Sequence, residues 1–291
     1  MDYVQHILSG VASGCIYGLV ALGFVLIYKA TETLNFAQGE LLMLGAFVGY
    51  TFIEILGMPY WLGFVLTITT MVLIGAALHE IALRPVLGQP QFTVVMLTIG
   101  VGLVVKAVVG AIPGWGVETR TIHTPFSQKT VSLEGLTLGR ESLSIVAGTL
   151  LLCGGLYLFF RTTRLGVALQ AASQNQVAAY CAGMPVPLFF ALVYGLSAGI
   201  AGVAGLLLAP IALVDVNLGL IALKAFPAAV IGGFGSIPGA VVGGIIVGLV
   251  EQFAGMHLSS TLKNVAPYVV LLAVLMLRPR GLFGSDGRRR V

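Results

Sequence analysis

Charge is scarce in this chain: Asp, Glu, Lys and Arg together make up 9% of its 291 residues, where a soluble domain carries about 25%. So little charge cannot clothe a water-facing surface, and a soluble domain is excluded. The three cysteines, Cys15, Cys153 and Cys181, are isolated, two of them in apolar runs, so neither a disulfide framework nor a metal cage is implied. His6, His79, His123 and His257 are scattered, with no H-E-x-x-H and no paired Cys–His spacing. No G-x-x-x-x-G-K-[ST] occurs either, so this chain has no Gly-rich loop of the usual kind to cradle ATP. GLSAG at 195–199 fits the hydrolase pattern G-x-S-x-G, yet it lies in an apolar helical run, where that motif needs a strand-to-helix elbow and His and acidic partners. The start, MDYVQH, lacks a positively charged leader region and predicts an uncleaved first helix.

What the chain has is hydrophobicity, 58% of residues with a mean hydropathy of +1.02, and 39 glycines. Apolar runs fall at about 7–28, 36–56, 61–83, 92–112, 143–160, 188–213, 219–234, 238–256 and 264–277, each near the roughly 20 residues a membrane span needs. The expectation is an all-α, polytopic integral membrane protein forming a single domain over 1–291, with about nine membrane helices (eight to ten). The strict alternation of a β-barrel is missing. Whether 219–234 crosses fully or re-enters is open at this stage.

Charge sets the expected orientation. With the N-terminus outside, Lys29, Arg84, Arg161, Arg164 and the tail arginines Arg278, Arg280, Arg288, Arg289 and Arg290 face the cytosol. Arg120, Lys129, Arg140 and Lys263 lie outside, and Lys106 and Lys224 fall within spans. Cationic flanks on the cytosolic side match the positive-inside rule. The net charge of +4 sits mostly in the tail at 278–291, so it reads as a topology signal, not a nucleic-acid patch. The mixed-charge loop at about 113–142 is the largest external segment, either a landing surface or a plain linker.

Three stretches are candidates for function. The segment 161–187 is the one long polar interruption with helical character. Its 165–180 portion is Ala-rich, with Leu165, Leu169, Ala172 and Ala179 on one face, and Gly183 followed by Pro185 and Pro187 forms a stop. It is expected to be a cytosolic surface helix that either docks into another protein or merely connects spans. Asn35, Gln38 and Glu40 stand at the mouth of the second span; a carboxylate there is a functional candidate unless the boundary solvates it. The stretch 223–239 combines Lys224, Phe226, Pro227, Gly232 and Gly233, predicting a broken helix that either lines a path or packs tightly with Lys224 snorkelling outward. SGVASG (9–14) with Phe36-Ala37, and YGLSAG (194–199) with Phe226-Pro227, hint at an inverted repeat.

Three blocks carry a family resemblance: GCIYGLVALGFVLIYKATETLNFAQGELLMLGA (14–46), FRTTRLGVALQAASQNQVAAYCAGM (160–184) and LKAFPAAVIGGFGSIPGAVVGG (223–244). In these, over essentially its whole length, the chain resembles the membrane permease subunits of bacterial branched-chain amino-acid ABC importers, the Liv type. The resemblance implies a helical half of a pore in the bacterial inner membrane, working with a second homologous permease, two cytosolic ATPase subunits and a periplasmic binding protein. ATP and Mg would bind in the partners; no cofactor is expected on this chain, which would not itself be an enzyme. It also implies a coupling helix at about 163–184, involving Arg161, Arg164, Leu165, Gly166, Leu169, Gln170, Ala171, Ala172, Ala179 and Gly183. Gln170 and Gln176 depart from the Glu and Gly of the usual coupling motif, which bears on the details of the ATPase contact. A permease for urea, amides or simple sugars shares this fold and is the alternative; a self-sufficient ion-coupled symporter using Glu40 or Lys224 is a further one.

Overall fold

A computed structural model gives the fold and describes residues 2–86, 88–116, 118–126, 130–133, 136–257 and 260–284. Eleven helices and one short hairpin occur among them: α1 (Asp2–Thr31), α2 (Gln38–Tyr50), α3 (Tyr60–Leu78), α4 (Gln91–Ala111), β1 (Thr130–Leu133), β2 (Leu136–Gly139), α5 (Arg140–Thr162), α6 (Arg164–Gln174), α7 (Gln176–Cys181), α8 (Val186–Ala212), α9 (Ile221–Gly232), α10 (Ile237–His257) and α11 (Ser260–Leu277). Six helices are long and apolar enough to cross a bilayer, α1, α3, α4, α5, α8 and α10. Shorter apolar segments, α2 with its wider last turn Thr51–Ile55, Leu218–Gly232 and Leu262–Leu277, complete the nine expected. The antiparallel pair β1–β2 is an addition to the all-α expectation and lies in the loop between α4 and α5.

The core is a pair of interlocked, oppositely directed repeats, α1–α4 and α8–α11. Glycines let the backbones touch. On α1 and α10 the order Gly10, Gly14, Gly18 meets Gly248, Gly244 and Val241, which makes the two helices antiparallel. On α3 and α8 the order Met71, Val72, Gly75 meets Gly202, Gly199 and Gly195, again antiparallel. So α1 embraces the third helix of the other repeat, as α8 embraces α3. The second helices follow the same exchange. Gln38, Gly45 and Gly49 of α2 run alongside Ser197, Gly202 and Leu206 of α8, while Phe226 and Phe234, at and just beyond α9, run alongside Phe24 and Tyr28 of α1. Both of these pairs are parallel. A Cβ on Gly244 would stand 2.3 Å from the Gly18 nitrogen and 2.5 Å from the Gly14 oxygen. In a bilayer, where apolar burial gives helices little reason to associate, such close backbone packing is what holds spans together.

Each repeat contains a helix that starts inside the bundle. After α1 ends, residues 32–37 double back, so that Gln38 lies beside Gly23 of α1 and Ser197 of α8. After α8 ends, residues 213–220 do the same from the opposite end, and Gly219 packs against Gly39 and the Glu40 nitrogen. The discontinuity expected within 223–239 therefore falls earlier. α9 is continuous through Pro227 because the carbonyl it orphans, Leu223 O, accepts a hydrogen bond from the Tyr268 hydroxyl at 3.2 Å. Together, 213–232 crosses from one end of the bundle to the other, where Leu282 N and Phe283 N donate to Ile231 O and Gly232 O. This answers the question left open for 219–234.

The two ends differ in charge. The end carrying α6 and α7 also carries Lys29, Arg84, Arg161, Arg164, Arg278 and Arg280; the hairpin end carries Arg120, Arg140 and Lys263. Lys129 and Arg288–Arg290 lie outside the described residues.

Candidate functional site

The starts of α2 and α9 meet near mid-depth. Backbone this irregular must be satisfied locally, since no bulk water reaches it. Phe36 N donates to Thr98 Oγ1 of α4 at 3.1 Å, Ala37 N to Asn35 Oδ1 at 3.1 Å, and Gln38 N to Asn35 O at 3.3 Å. Asn35 and Gln38 are buried. Gln38 Nε2 donates to Ser197 O at 3.2 Å, while the Ser197 hydroxyl lies 3.0 Å from Gln38 Oε1 and 3.1 Å from Gly23 O. Gly23 must be glycine here, because a Cβ would sit 2.0 Å from Gln38 Nε2. Ser197, the apparent hydrolase serine, is thus the pin where α1, α2 and α8 cross.

Glu40, one turn into α2, faces Gly102 of α4, where an added Cβ would stand 3.2 Å from Oε2. Because α2 begins inside the bundle, Glu40 is not at the boundary, and its carboxylate has no hydrogen bond or ion pair among the described residues. Lys106 follows Gly102 by one helical turn and donates to Asn217 Oδ1 at 3.2 Å. One group of each sign therefore flanks the junction on its α4 side. Phe36, Phe226 and Phe234 stack around the other side, with centroids 5.9 and 6.0 Å apart. The crevice beside Asn35, Ala37, Thr98 and Tyr194 holds about 10 Å³, at most one water. That crevice admits no larger solute.

Lys224 does not snorkel. Its Nζ lies 2.7 Å from Glu251 Oε1 of α10 and 2.9 Å from Asn264 Oδ1 of α11, and the Tyr17 hydroxyl of α1 donates to Glu251 Oε2 at 2.5 Å. The side chains of Glu251 and Lys224 are 6% and 24% exposed. This network ties four helices together. Gly232 and Gly233 leave the candidate path altogether: a Cβ on Gly232 would fall 2.1 Å from Gly239 O, and Gly233, at φ +93°, packs on Arg280 and Gly284. They seal the α6 end.

The 161–187 segment is two helices, not one. Thr163 caps α6 by accepting from Gly166 N at 3.0 Å, and Asn175 breaks the run and caps α7 through Ala178 N at 2.9 Å. Gly183, at φ +77°, ends α7, with Met184 N donating back to Ala179 O. Gly166, Leu169, Ala172 and Ala179 face inward; Gly166 rests on the Phe159 and Phe160 backbone, and Gln176 Nε2 holds Ala30 O at 2.9 Å. Leu165, in the first turn of α6, is 52% exposed. Val167, Val177 at 74% and Tyr180 at 72% are exposed as well, as are Arg164 and Ala171. Gln170 is half-buried, and Arg161 is exposed.

Glu251 stands out in the sequence as a charge in an apolar run, as Lys106 and Lys224 do, whereas Tyr17, Thr98, Ser197, Asn217 and Asn264 were not singled out for function. A polar residue inside an apolar run was the available signal; its partner, more than 100 positions away in several cases, was not.

The family model described as "branched-chain amino acid transport system / permease component" matches residues 6–277. The Escherichia coli (strain K12) high-affinity branched-chain amino acid transport system permease protein LivH is 31% identical, covering 99% of this chain and 98% of its own. The Pseudomonas aeruginosa permease protein BraD of the same description is 29% identical with the same coverage. A probable branched-chain amino acid transport permease from Methanocaldococcus jannaschii is 30% identical over 93% of this chain and 89% of its own. No solved structure gives a significant match.

Proposed function

The chain belongs to the family of branched-chain amino acid transport permeases, and from that premise we propose that it is the membrane subunit of an ABC importer. It would pass leucine, isoleucine, valine or another small amino acid across the bacterial inner membrane. Its partners would be a second, homologous permease, a periplasmic binding protein that delivers the solute, and two cytosolic ATPase subunits that hold ATP and Mg. The end carrying α6 and α7 then faces the cytosol, in keeping with its excess of cations, and both the N-terminus and the hairpin face outward.

The observation that carries this reading is the pair of half-helices whose starts meet inside the bundle, coupled through α8 to a surface helix pair at the cationic end. Val177 and Tyr180, three residues apart on α7, are exposed apolar side chains of the kind that would anchor a helix in a groove on an ATPase. ATP binding would shift that groove, α6–α7 would carry the movement into α8, and α2 and α9 would part at Gly39 and Gly219. Glu40 and Lys106 would then face the ammonium and carboxylate of a zwitterionic solute.

The test is uptake into proteoliposomes holding the complete assembly, comparing labelled leucine with labelled urea. Leucine uptake that requires ATP and the ATPase subunits is the expected outcome. Urea uptake in its place would transfer the reading to the amide branch of the superfamily, and proton-driven accumulation by this chain alone would overturn it.

A further inference from the structure

A groove of about 640 Å³ opens between α1, α5, α6 and the start of α10, near the α6 end of the bundle. Its lining includes the apolar Cys153, Phe160, Ile237, Val241 and Val242 together with Lys29, Arg161, Tyr157, Gln170 and Ser236. No acidic residue lines it. Arg161 is held over the groove by Tyr157, through a 2.6 Å hydrogen bond to the hydroxyl and a stacking contact with the ring at 5.7 Å. Neither cation meets a carboxylate among the described residues, and Lys29 has no hydrogen bond there at all. On α5, Tyr157 is exposed, and so are the neighbouring Leu158 and Leu151, apolar side chains suited to a lipid-facing wall. An apolar cleft that opens sideways to lipid and ends in two unneutralised cations at the headgroup level is complementary to one kind of molecule, a lipid with an acyl chain and a negative headgroup.

We propose that this groove is a binding site for an anionic phospholipid, its phosphate between Lys29 and Arg161 and one acyl chain along Val241 and Val242. The site adjoins the proposed ATPase contact, because Gln170 of α6 lines it. A bound lipid would therefore brace α6 against α1 and α10. The inference rests on the membrane setting and not on the identity of the transported solute, so it survives if the solute is not an amino acid.

Native mass spectrometry of the purified full-length chain, titrated with phosphatidylglycerol and with phosphatidylcholine of the same chains, tests it. Phosphatidylglycerol should bind at least roughly tenfold more tightly, as two cations near the headgroup dictate, and the Lys29→Gln/Arg161→Gln variant should reduce it to the phosphatidylcholine level. Arg140→Gln, at the far end of α5, should leave the preference intact. Should the double variant not fold, Val242→Trp fills the groove without altering charge and should weaken both lipids. Equal retention of the two lipids by the natural chain, or an unchanged preference in the double variant, would overturn the site. So would displacement by millimolar inorganic phosphate, which would mark a free-anion site, or loss of the lipid when the second permease assembles, which would mark a protein seam.

Discussion

At the scale of single residues, buried charge is the decisive term. Glu251 and Lys224 lie at membrane depth, where an isolated charge costs about 3 kcal/mol or more, and each is tolerable only because the other is 2.7 Å away. Removing one partner is then worse than removing both. Glu251→Gln should lower stability by about 3 kcal/mol, whereas Lys224→Met/Glu251→Leu should lose distinctly less; thermal unfolding in detergent reads the difference. Tyr17→Phe should cost about 1–2 kcal/mol by stripping Glu251 of its donor. Glycine makes the same point through shape. Gly244→Leu should prevent α1 from meeting α10, and little monodisperse protein should be recovered, while Gly154→Ala, with no atom within 4 Å of its added Cβ, should behave as the natural chain.

The residue scale is also where the sequence was least legible. Lys224 was visible as an oddity in an apolar run, but two outcomes, snorkelling or pairing, are equally compatible with a lone lysine. The choice is made by Glu251, Asn264 and Tyr17, which are brought together only by the folding of four helices. The doubling back of the chain before α2 was illegible for a related reason. Residues 32–37 are too few to betray that the chain turns back into the bundle before α2 begins.

At the scale of elements, helix ends and breaks determine what each segment can do. Pro227 leaves α9 unbroken because Tyr268 replaces the missing donor. Tyr268→Phe should therefore destabilise by about 1 kcal/mol, and Pro227→Ala should rescue it by returning an N–H to Leu223 O. Non-additive melting temperatures across that double-mutant cycle are expected; simple additivity would contradict the account of α9. The surface helices were legible as a pair of ends, Thr163 and Gly183, but not as two pieces. An Asn inside an Ala-rich run is compatible with a continuous helix, and only the capping of Ala178 N by Asn175 separates α6 from α7. Ala172 looks inward, so a charge placed there tests packing against α1, whereas Val177 and Tyr180 are the positions that test docking.

At the scale of the whole molecule, nine apolar runs in the sequence correspond to nine apolar helical segments among the described residues, with limits that differ by only a few residues, because a bilayer-spanning segment must stay apolar over most of its length. The exchange of partners between the repeats was fainter: SGVASG and YGLSAG pointed to it, but proof needed the matching antiparallel pairs α1–α10 and α8–α3. Orientation can be measured with what the chain already has. Cys181 is exposed on α7, while Cys15 is buried. A membrane-impermeant maleimide should label Cys181 in inverted vesicles and spare it in intact cells stripped of their outer membrane; the opposite pattern would turn the protein over.

The central claim is that motion generated elsewhere enters through the outer face of α6–α7. It is tested most directly by ATP-driven leucine uptake in the complete assembly carrying Val177→Glu and Tyr180→Glu. Two apolar anchors lost from one interface should weaken ATPase association at least roughly tenfold, and uptake should collapse with it while the permease remains inserted and binds its partner permease. Undiminished uptake, with the ATPase still attached, would contradict the account.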